Sequence, residues 1–391
     1  MSKGNYKRLG DYIQEVNVRN ADLKAEELLG INIDKFFMPS VANIVGTDMS
    51  AYKIVKRNHF ACNRMHVGRD YRLPISMSKS DGEFMVSPAY DVFEILDTEI
   101  LTPEYLMMWF SRREFDRNAW FYTDADVRGG LHWKALCDMQ LPIPSPSKQR
   151  EIVKEYNVIQ NRIALNNQLI QKLEETAQSI YKQWFVDFEF PDENGKPYKT
   201  NGGEVVWNEE LGKEIPNGWD YTSLGSISTI KAGGDKPSTF STNKTDSNRI
   251  PIYSNSSNNE GLFGYTNIAT IHVKCITISA RGAIIGYTVL RTCPFFPIVR
   301  LIVVIPNFEY LLNYIYDTIK DNKYDQSGSA QGQLTIPDIS SFSIVLPSSN
   351  LLTKYQIDTS EISKMIELKK KENQILQKLK DLLLSKLATV E

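Results

Sequence analysis

Residues 147–184, SKQREIVKEYNVIQNRIALNNQLIQKLEETAQSIYKQW, have the pattern of one long helix. Apolar or small side chains recur along this stretch at alternating spacings of four and three residues, provided that Asn166 belongs to the stripe. The other members of the stripe are Ile152, Tyr156, Ile159, Ile163, Ile170, Leu173, Ala177, Ile180 and Trp184. A stripe with this heptad spacing predicts that the helix pairs with another helix along its whole length.

A second stretch of the same kind occupies residues 353–389. Aligning the Gln-Lys-Leu of 171–173 with that of 377–379 equates Asn166 with Glu372, two polar positions that we expect to fix the register. We therefore predict that the two helices pair within one chain, antiparallel, so that the polypeptide imitates a two-fold dimer. The residues predicted to form this seam are Ile152, Tyr156, Ile159, Ile163, Asn166, Ile170, Leu173, Ile180, Ile362, Met365, Leu376, Leu379 and Leu383.

The duplication extends upstream of the helices. Residues 130–144 align without a gap with 333–347, and 8–13 and 59–62 resemble 223–228 and 272–275. Stretches rich in β-branched residues predict strands, and short helical patterns precede both long helices. The predicted strands are 274–279, 284–290 and 300–305, and the predicted short helices are 104–118 and 310–321. Each half is thus predicted to be an α/β or α+β globular segment followed by a long helix.

Turn and cap signals divide the chain further. Ser145 and Pro146 suit the cap and the first turn of a helix, and Gly-rich turns between the halves leave room for little regular structure. The predicted plan is a globular segment at 1–144, a helix at 145–186, a connector at 187–220, a globular segment at 221–347 and a helix at 348–391.

Composition excludes several classes of protein. A hydrophobic content of 42% excludes a disordered chain, and the net charge of -2 requires that any nucleic-acid binding come from a local surface. The four cysteines include no CxxC pair, and no apolar run is long enough to cross a membrane. The charged start lacks a signal peptide's apolar core, so we expect a cytoplasmic protein with reduced thiols.

Signatures of catalysis are missing from the sequence. It contains no GxxxxGK[ST] phosphate loop, no HExxH zinc motif and no GxSxG nucleophile elbow. The motif with which amino-methyltransferases hold an extruded base is also absent, and the four histidines are scattered. We expect no catalytic residue, no metal site and no cofactor in this chain.

The order of several short motifs resembles the DNA-specificity subunits of type I restriction-modification enzymes. The motifs are PSPSKQREIV at 144–153, YKQWFVDF at 181–188, IPNGW at 215–219, ISARG at 278–282 and SGSAQGQL at 327–334. In the first half FACN at 60–63, GRD at 68–70 and VSPAY at 86–90 are similar to one class of recognition domain in that family. The resemblance covers nearly the whole chain.

That resemblance implies two target recognition domains, each reading one half of a split site in double-stranded DNA, separated by the paired helices. A helix of about 37 residues is ~55 Å long, which exceeds the ~34 Å of one DNA turn. The resemblance also implies partner methyltransferase subunits and ATP-driven restriction or motor subunits. Those partners would use S-adenosylmethionine and ATP with Mg²⁺, and this chain would bind neither.

Base recognition needs hydrogen-bonding groups on exposed loops, with Arg or Lys beside them to hold phosphates. The candidates in the first segment are Arg57, Asn63, Arg64, His66, Arg69, Arg72, Lys79, Arg128 and Trp133. The candidates in the second are Lys231, Lys236, Asn255, Asn258, Arg281, Gln326 and Gln331.

Two other classes of function stay open on the sequence. A coiled-coil scaffold with two ligand-binding or protein-binding heads would explain the near-neutral charge. An enzyme is the third possibility, and transfer of methyl groups to DNA by the purified chain alone would reveal it.

Overall fold

The computed structural model describes residues 6–41, 46–65, 67–123, 129–320, 322 and 333–390. The chain forms two compact units: a first unit of 1–167 and 370–391, and a second unit of 168–369. Among the described residues, no helix is both long and apolar enough to cross a membrane.

The strands up to the first long helix are β1 Tyr6–Arg8, β2 Ile13–Glu15, β3 Leu29–Ile31, β4 Phe37–Pro39, β5 Lys53–Val55, β6 Phe60–Cys62, β7 Ile75–Met77, β8 Phe84–Val86, β9 Asp91–Ile95 and β10 Gln140–Pro142. The helices are α1 Val67–Asp70, α2 Pro103–Phe110, α3 Arg113–Phe121, α4 Trp133–Asp138 and the long α5 Pro146–Tyr181, which a π-helical turn extends through Lys182–Val186.

The later strands are β11 Val205–Asn208, β12 Lys213–Pro216, β13 Asp220–Ser223, β14 Ser228–Ala232, β15 Ile250–Tyr253, β16 Leu262–Thr266, β17 Cys275–Ser279, β18 Thr288–Arg291, β19 Phe296–Pro297, β20 Leu301–Pro306 and β21 Ser343–Leu346. The helices are α6 Leu224–Ile227, α7 Leu312–Ile319, α8 Ile336–Ser340 and the long α9 Ser349–Lys386. Strands β11 and β12 form an antiparallel hairpin, so the connector holds more regular structure than its turn signals predict.

The first unit is built on an antiparallel sheet of order β2-β9-β6-β7. Aromatic side chains join this sheet to α2: the rings of Phe60 and Phe93 stack with centroids 5.1 Å apart, and Phe110 packs edge-on against both. A smaller apolar cluster lies between β5, β8 and the β3–β4 hairpin. Burial of these rings is the main favourable term in holding the sheet against the helix.

The second unit repeats this plan with an antiparallel sheet of order β14-β20-β17-β18. Every residue of β17 is buried, which explains its unbroken run of β-branched and small side chains. A separate three-stranded sheet, β16-β15-β19, replaces the hairpin region of the first unit.

Hydrogen bonds identify equivalent positions in the two units. The Leu9 amide donates to the Met139 carbonyl over 2.8 Å, and the Leu224 amide donates to the Phe342 carbonyl over 2.8 Å. Met139 and Phe342 therefore occupy the same place in the two units.

Two tyrosines and the helix starts extend this equivalence without a gap. The hydroxyl of Tyr105 donates to the Pro142 carbonyl, and that of Tyr314 donates to the Val345 carbonyl. The helices α5 and α9 then begin at Pro146 and Ser349. The offset along the chain is the same for Met139 and Phe342, for Pro142 and Val345, and for these two helix starts.

This constant offset corrects the predicted alignment of the helices. It places Gln171 on Gln374, whereas the sequence alignment placed Gln171 on Gln377. With the corrected alignment, the stripe of α5 falls on a buried or half-buried stripe of α9 and of the turn that follows it: Tyr355, Thr359, Ile362, Ile366, Lys369, Asn373, Leu376, Lys380, Leu383 and, just beyond α9, Leu387.

Two of the predicted seam residues were wrong. Met365 and Leu379 lie outside the stripe of α9, with 45% and 47% exposure. The other predicted seam residues are buried or half-buried.

Within the first unit the two helices run antiparallel, because Gln160 contacts Lys380 whereas Asn166 contacts Asn373. Asn166 is 2% exposed, and its amide nitrogen donates to Asn373 over 2.9 Å. Asn373 in turn donates to Asn167 over 2.8 Å. Asn373 is thus the polar partner of Asn166, and Glu372, which the sequence alignment equated with Asn166, accepts a hydrogen bond from Arg162.

Gln149 fixes the start of α5 to the first unit. Its side chain is fully buried; the amide oxygen accepts from the Thr102 amide over 2.8 Å, and the amide nitrogen donates to the carbonyls of Ile100 and Pro144, both over 2.8 Å. The Thr102 hydroxyl also donates to the amide oxygen, over 3.2 Å. These partners satisfy a polar side chain that would otherwise be costly to bury.

We expect Gln149→Leu to lower the free energy of unfolding by about 2–4 kcal/mol, because it leaves a buried amide and two buried carbonyls without partners. Urea unfolding of the full chain measures this loss. The matched control is Gln168→Leu at an exposed glutamine of the same helix, and an equal effect of both variants would contradict the role of Gln149.

The corrected seam makes a separate prediction. Leu376→Ala should lower the free energy of unfolding by about 1–2 kcal/mol, since Leu376 is half-buried in the stripe. Leu379→Ala should change the free energy of unfolding by no more than about 0.5 kcal/mol, the usual range for a surface site. Thermal unfolding of both variants decides between the two alignments. The alignment that places Gln171 on Gln377 puts both leucines in the apolar stripe and therefore predicts equal losses of stability.

Candidate nucleic-acid interface

In each unit the loops that connect the central strands meet at one end of the four-stranded sheet, where strands end and begin. In the first unit, β2 and β6 end there and β7 and β9 begin there; in the second, β14 and β17 end there and β18 and β20 begin there. The same backbone bond marks both sites: the Leu131 amide donates to Arg64 over 3.0 Å, and the Leu334 amide donates to Ala280 over 2.9 Å. We name this end of each four-stranded sheet, with its loops, the loop edge. In the first unit it lies at the opposite end of β9 from Thr102 and Gln149.

Most charges at the loop edge of the first unit are compensated within the unit. Arg69 is paired with the neighbouring Asp70 at 2.6 Å, and Arg72 is paired with Asp34 at 2.8 Å. Asn63 uses its side-chain oxygen to accept from the Met65 amide over 3.1 Å. Arg69 and Arg72 remain exposed, whereas Asn63 is half-buried.

Arg64 and Trp133 have structural positions that the sequence did not reveal. The Nε and Nη2 groups of Arg64 donate to the two carboxylate oxygens of Asp91, and its Nη1 group donates to the Leu131 carbonyl. The Trp133 ring packs 5.5 Å from that of Phe93 and lies 5.9 Å from the Arg64 guanidinium. Both side chains are half-buried and have partners within the first unit, and contact of either one with DNA stays a prediction.

The remaining candidates of the first unit are not brought together with this loop. Arg57 and Lys79 lie at the start of β6 and beyond the end of β7, the end of these strands away from the loop edge. Arg57 forms an exposed ion pair with Asp81. His66 and Arg128 lie outside the described residues.

A groove of about 940 Å³ runs beside β7 in the first unit, between the β3–β4 hairpin and the paired helices. Its charged lining consists of five acidic residues, Glu27, Asp34, Glu114, Asp116 and Asp381, and five basic residues, Lys35, Arg72, Lys79, Arg113 and Lys380. Lys35 and Asp116 are themselves paired at 2.7 Å with both side chains largely buried, and this burial lowers the pKa of Lys35. A groove with balanced charge is a poor match for a polyanion.

In the second unit the polar candidates serve different purposes. Asn255 is a structural residue, since its oxygen accepts from the amides of Ala280 and Arg281 and its nitrogen donates to the Arg281 carbonyl. Lys231 and Asn258 are exposed, and the ammonium group of Lys236 lies 4.0 Å above the Phe240 ring. Gln326 and Gln331 lie outside the described residues.

Two arginines meet at the loop edge of the second unit. Arg281 donates from Nε to the side-chain oxygen of Gln333 over 2.8 Å, and a second nitrogen of the same guanidinium reaches the same oxygen. Arg300 approaches this oxygen at 3.5 Å. Sequence analysis selected Arg281 but not Arg300, which it assigned to the start of a strand; a cationic residue beside an otherwise apolar strand was the available signal.

The described residues provide little for covalent chemistry. They contain no group of three or more His, Cys, Asp or Glu side chains that could hold a metal ion. Burial raises the pKa of Cys275 to about 12 and also raises the pKa of Cys62, so neither buried thiol is an effective nucleophile at neutral pH.

Arg64→Ala should lower the free energy of unfolding by about 2–3 kcal/mol, because it leaves the largely buried Asp91 without its cation. Calorimetry measures the change. Arg57→Ala is the control, and it should cost under about 1 kcal/mol since its ion pair is exposed. A neutral effect of Arg64→Ala on stability would return Arg64 to the candidate surface residues.

Comparison with known proteins gives a consistent assignment. Residues 216–381 match the family model of the type I restriction modification DNA specificity domain. The specificity subunit of the type I restriction enzyme MjaIX of Methanocaldococcus jannaschii is 28% identical over 287 residues, which are 67% of this chain and 64% of that protein. The specificity subunit of the HindI enzyme of Haemophilus influenzae is 22% identical and aligns with 92% of both chains.

A solved structure shares this fold. The crystal structure of a type I restriction-modification S subunit from M. genitalium matches with a TM-score of 0.60, covering 99% of this chain and 97% of that one at 13% identity. The family model over residues 216–381, the relatives and the shared fold make this chain similar to the type I restriction-modification DNA specificity subunits.

Proposed function

We propose that this chain is the noncatalytic, sequence-specific DNA-binding subunit of a type I restriction-modification system. It reads a bipartite target in double-stranded DNA, with one half-site for each unit and unread base pairs between them. The observation that carries the proposal is the repetition of the loop edge, marked by the equivalent hydrogen bonds of Leu131 and Leu334.

The chemistry of the loops supports DNA as the ligand. The loop edge of the second unit presents Arg281 and Arg300, and that of the first presents Arg69 and Arg72, on a chain whose net charge is only -2. Local cationic groups hold the phosphates and orient the protein, while neighbouring amides and hydroxyls are suited to base edges. Such local placement accounts for DNA binding by a chain without an overall basic charge.

Catalysis belongs to partner subunits in this proposal. Adenine methyltransferase subunits would bind S-adenosylmethionine, and restriction subunits would use ATP with Mg²⁺ as motor nucleases. This chain would bind none of these cofactors and would act on the DNA in the cytoplasm. The names of the relatives support this division, because each is described as the specificity subunit of a larger enzyme.

Mapping methylated adenines in a host genome with and without this chain tests the proposal. We expect methylation that depends on the chain to occur at a two-part motif with a fixed spacer of any sequence. A continuous short palindrome would contradict the two-reader proposal. If the chain forms a complex with a methyltransferase subunit but neither binds nor directs methylation of DNA, the scaffold alternative is correct.

The length of the helices provides a second test. Deleting 165–171 and 368–374 removes one heptad from each helix at positions that the corrected alignment makes equivalent. The loss of ~10 Å of helix should shorten the spacer by about three base pairs, while the half-site bases stay the same. Methylation mapping with this variant measures both properties, and an unchanged spacer would refute a role for helix length.

A further inference from the structure

The second unit contains four arginines, and they fall into two pairs with different surroundings. Arg249 has a carboxylate partner in Asp246 at 3.1 Å, and the buried Arg291 has one in Glu260 at 3.8 Å. Arg281 and Arg300 instead share the neutral side-chain oxygen of Gln333. In the part of the chain that the structure describes, neither of these two guanidinium groups forms an ion pair.

Holding two guanidinium groups beside one amide has an electrostatic cost. Because a single oxygen lies 2.8 Å from a nitrogen of Arg281 and 3.5 Å from a nitrogen of Arg300, the two cations are close neighbours. The amide dipole offsets part of the repulsion but removes none of the net charge. An anion placed between the two groups would neutralise one of the two positive charges and offset their repulsion.

The backbone at both arginines is fixed before any ligand arrives. Arg300 has a φ of 66°, a conformation that side chains with a Cβ rarely adopt. It is flanked by bonds from Val299 to Gly234 and from Gly233 to Leu301, both 2.8 Å. At Arg281, the backbone amide donates to the side-chain oxygen of Asn255 over 3.1 Å. Both arginine side chains therefore extend from backbone positions that are held in place.

We propose that Arg281 and Arg300 form a receptor for one phosphate group of the DNA backbone at the second half-site, with Gln333 as the positioning residue. The inference rests on the proposed function and adds the ligand group and the residues that hold it. A phosphodiester supplies an anionic oxygen to both cations at once, which no neutral base edge does.

The geometry favours a phosphate over a guanine base. Gln333 occupies the Nε and Nη2 edge of Arg281, which leaves only its Nη1 and Nη2 edge for reading a guanine, and a guanine would bring no net negative charge to the two cations. Phosphate oxygens accept from several directions and can be reached by the remaining nitrogens of both side chains. The receptor thus orients the DNA without reading its sequence.

Among its described residues, the first unit has a different arrangement at the equivalent place. Arg64 is equivalent to Ala280, one residue before Arg281, and its charge is compensated by Asp91 at the start of β9. In the second unit the strand register places the apolar Ile302 where the first unit has Asp91, and the cation Arg300 precedes strand β20. The phosphate receptor is therefore proposed for the second half-site.

The test uses the full chain assembled with its methyltransferase subunits and a fluorescent duplex that carries the mapped target, with a duplex of unrelated sequence as the second probe. Arg281→Ala and Arg300→Ala should each weaken binding several-fold on both duplexes. The slope of log K against log salt concentration should become shallower by about 1 in the double variant, as expected for one lost phosphate contact. Arg249→Ala, which removes an exposed arginine with a carboxylate partner, should change neither quantity.

Two further variants separate this role from a purely structural one. Gln333→Glu keeps the acceptor and adds a charge, so it should hold both arginines more tightly and maintain the melting temperature, yet weaken DNA binding by cancelling their charge. Arg300→Gly removes the guanidinium but suits the positive φ, so it should preserve folding and still weaken binding.

The outcomes are distinct. Unchanged affinity and salt slope in the folded double variant, with normal binding by the unaltered complex, would overturn the receptor and leave the proposed function intact. A loss confined to the target duplex would overturn it in favour of base reading. If the unaltered complex bound neither duplex, the proposed function and the receptor would both fail.

Discussion

The structure depends on the buried junction between each short strand and the long helix that follows it. In the first unit Gln149 connects the first turns of α5 to Ile100 and Thr102, and the hydroxyl of Tyr105 holds the carbonyl of Pro142. In the second unit Tyr314 holds Val345 in the same way. Since these contacts lie at the opposite end of the sheet from the loop edge, they fix the direction in which each unit's loops face relative to its own part of the helix.

Much of the fold could be predicted from the sequence, because helix periodicity and caps depend on local residues. The helices begin at Pro146 and Ser349, each just after its predicted start. The alignment between the helices was wrong by nearly one helical turn, since moving from Gln374 to Gln377 leaves the apolar stripe on almost the same face. The gapless alignment of 130–144 with 333–347 and long-range hydrogen bonds, such as that of Leu224 with Phe342, distinguish the two alignments.

The candidate surface was harder to predict because charge alone does not reveal a side chain's partner. Arg64 and Asn255 are of residue types that often bind DNA, yet the side chains of both form hydrogen bonds within their own units. Arg300 was missed because its importance follows from Gln333 and Arg281, which are distant in sequence. The two units thus share a topology but differ in how charge is compensated at the same place, as expected where a common scaffold carries separate sites.

The constant offset between equivalent junction positions has a consequence for how such a chain can change. Replacing a globular segment that ends within 139–146 by one that ends within 342–349 of another copy would join a foreign segment to a native helix without inserting or deleting a residue at the junction. Helical phase would survive the exchange, so the stripe that pairs the helices would remain intact. The chain is therefore built so that its globular segments can be inherited as interchangeable modules.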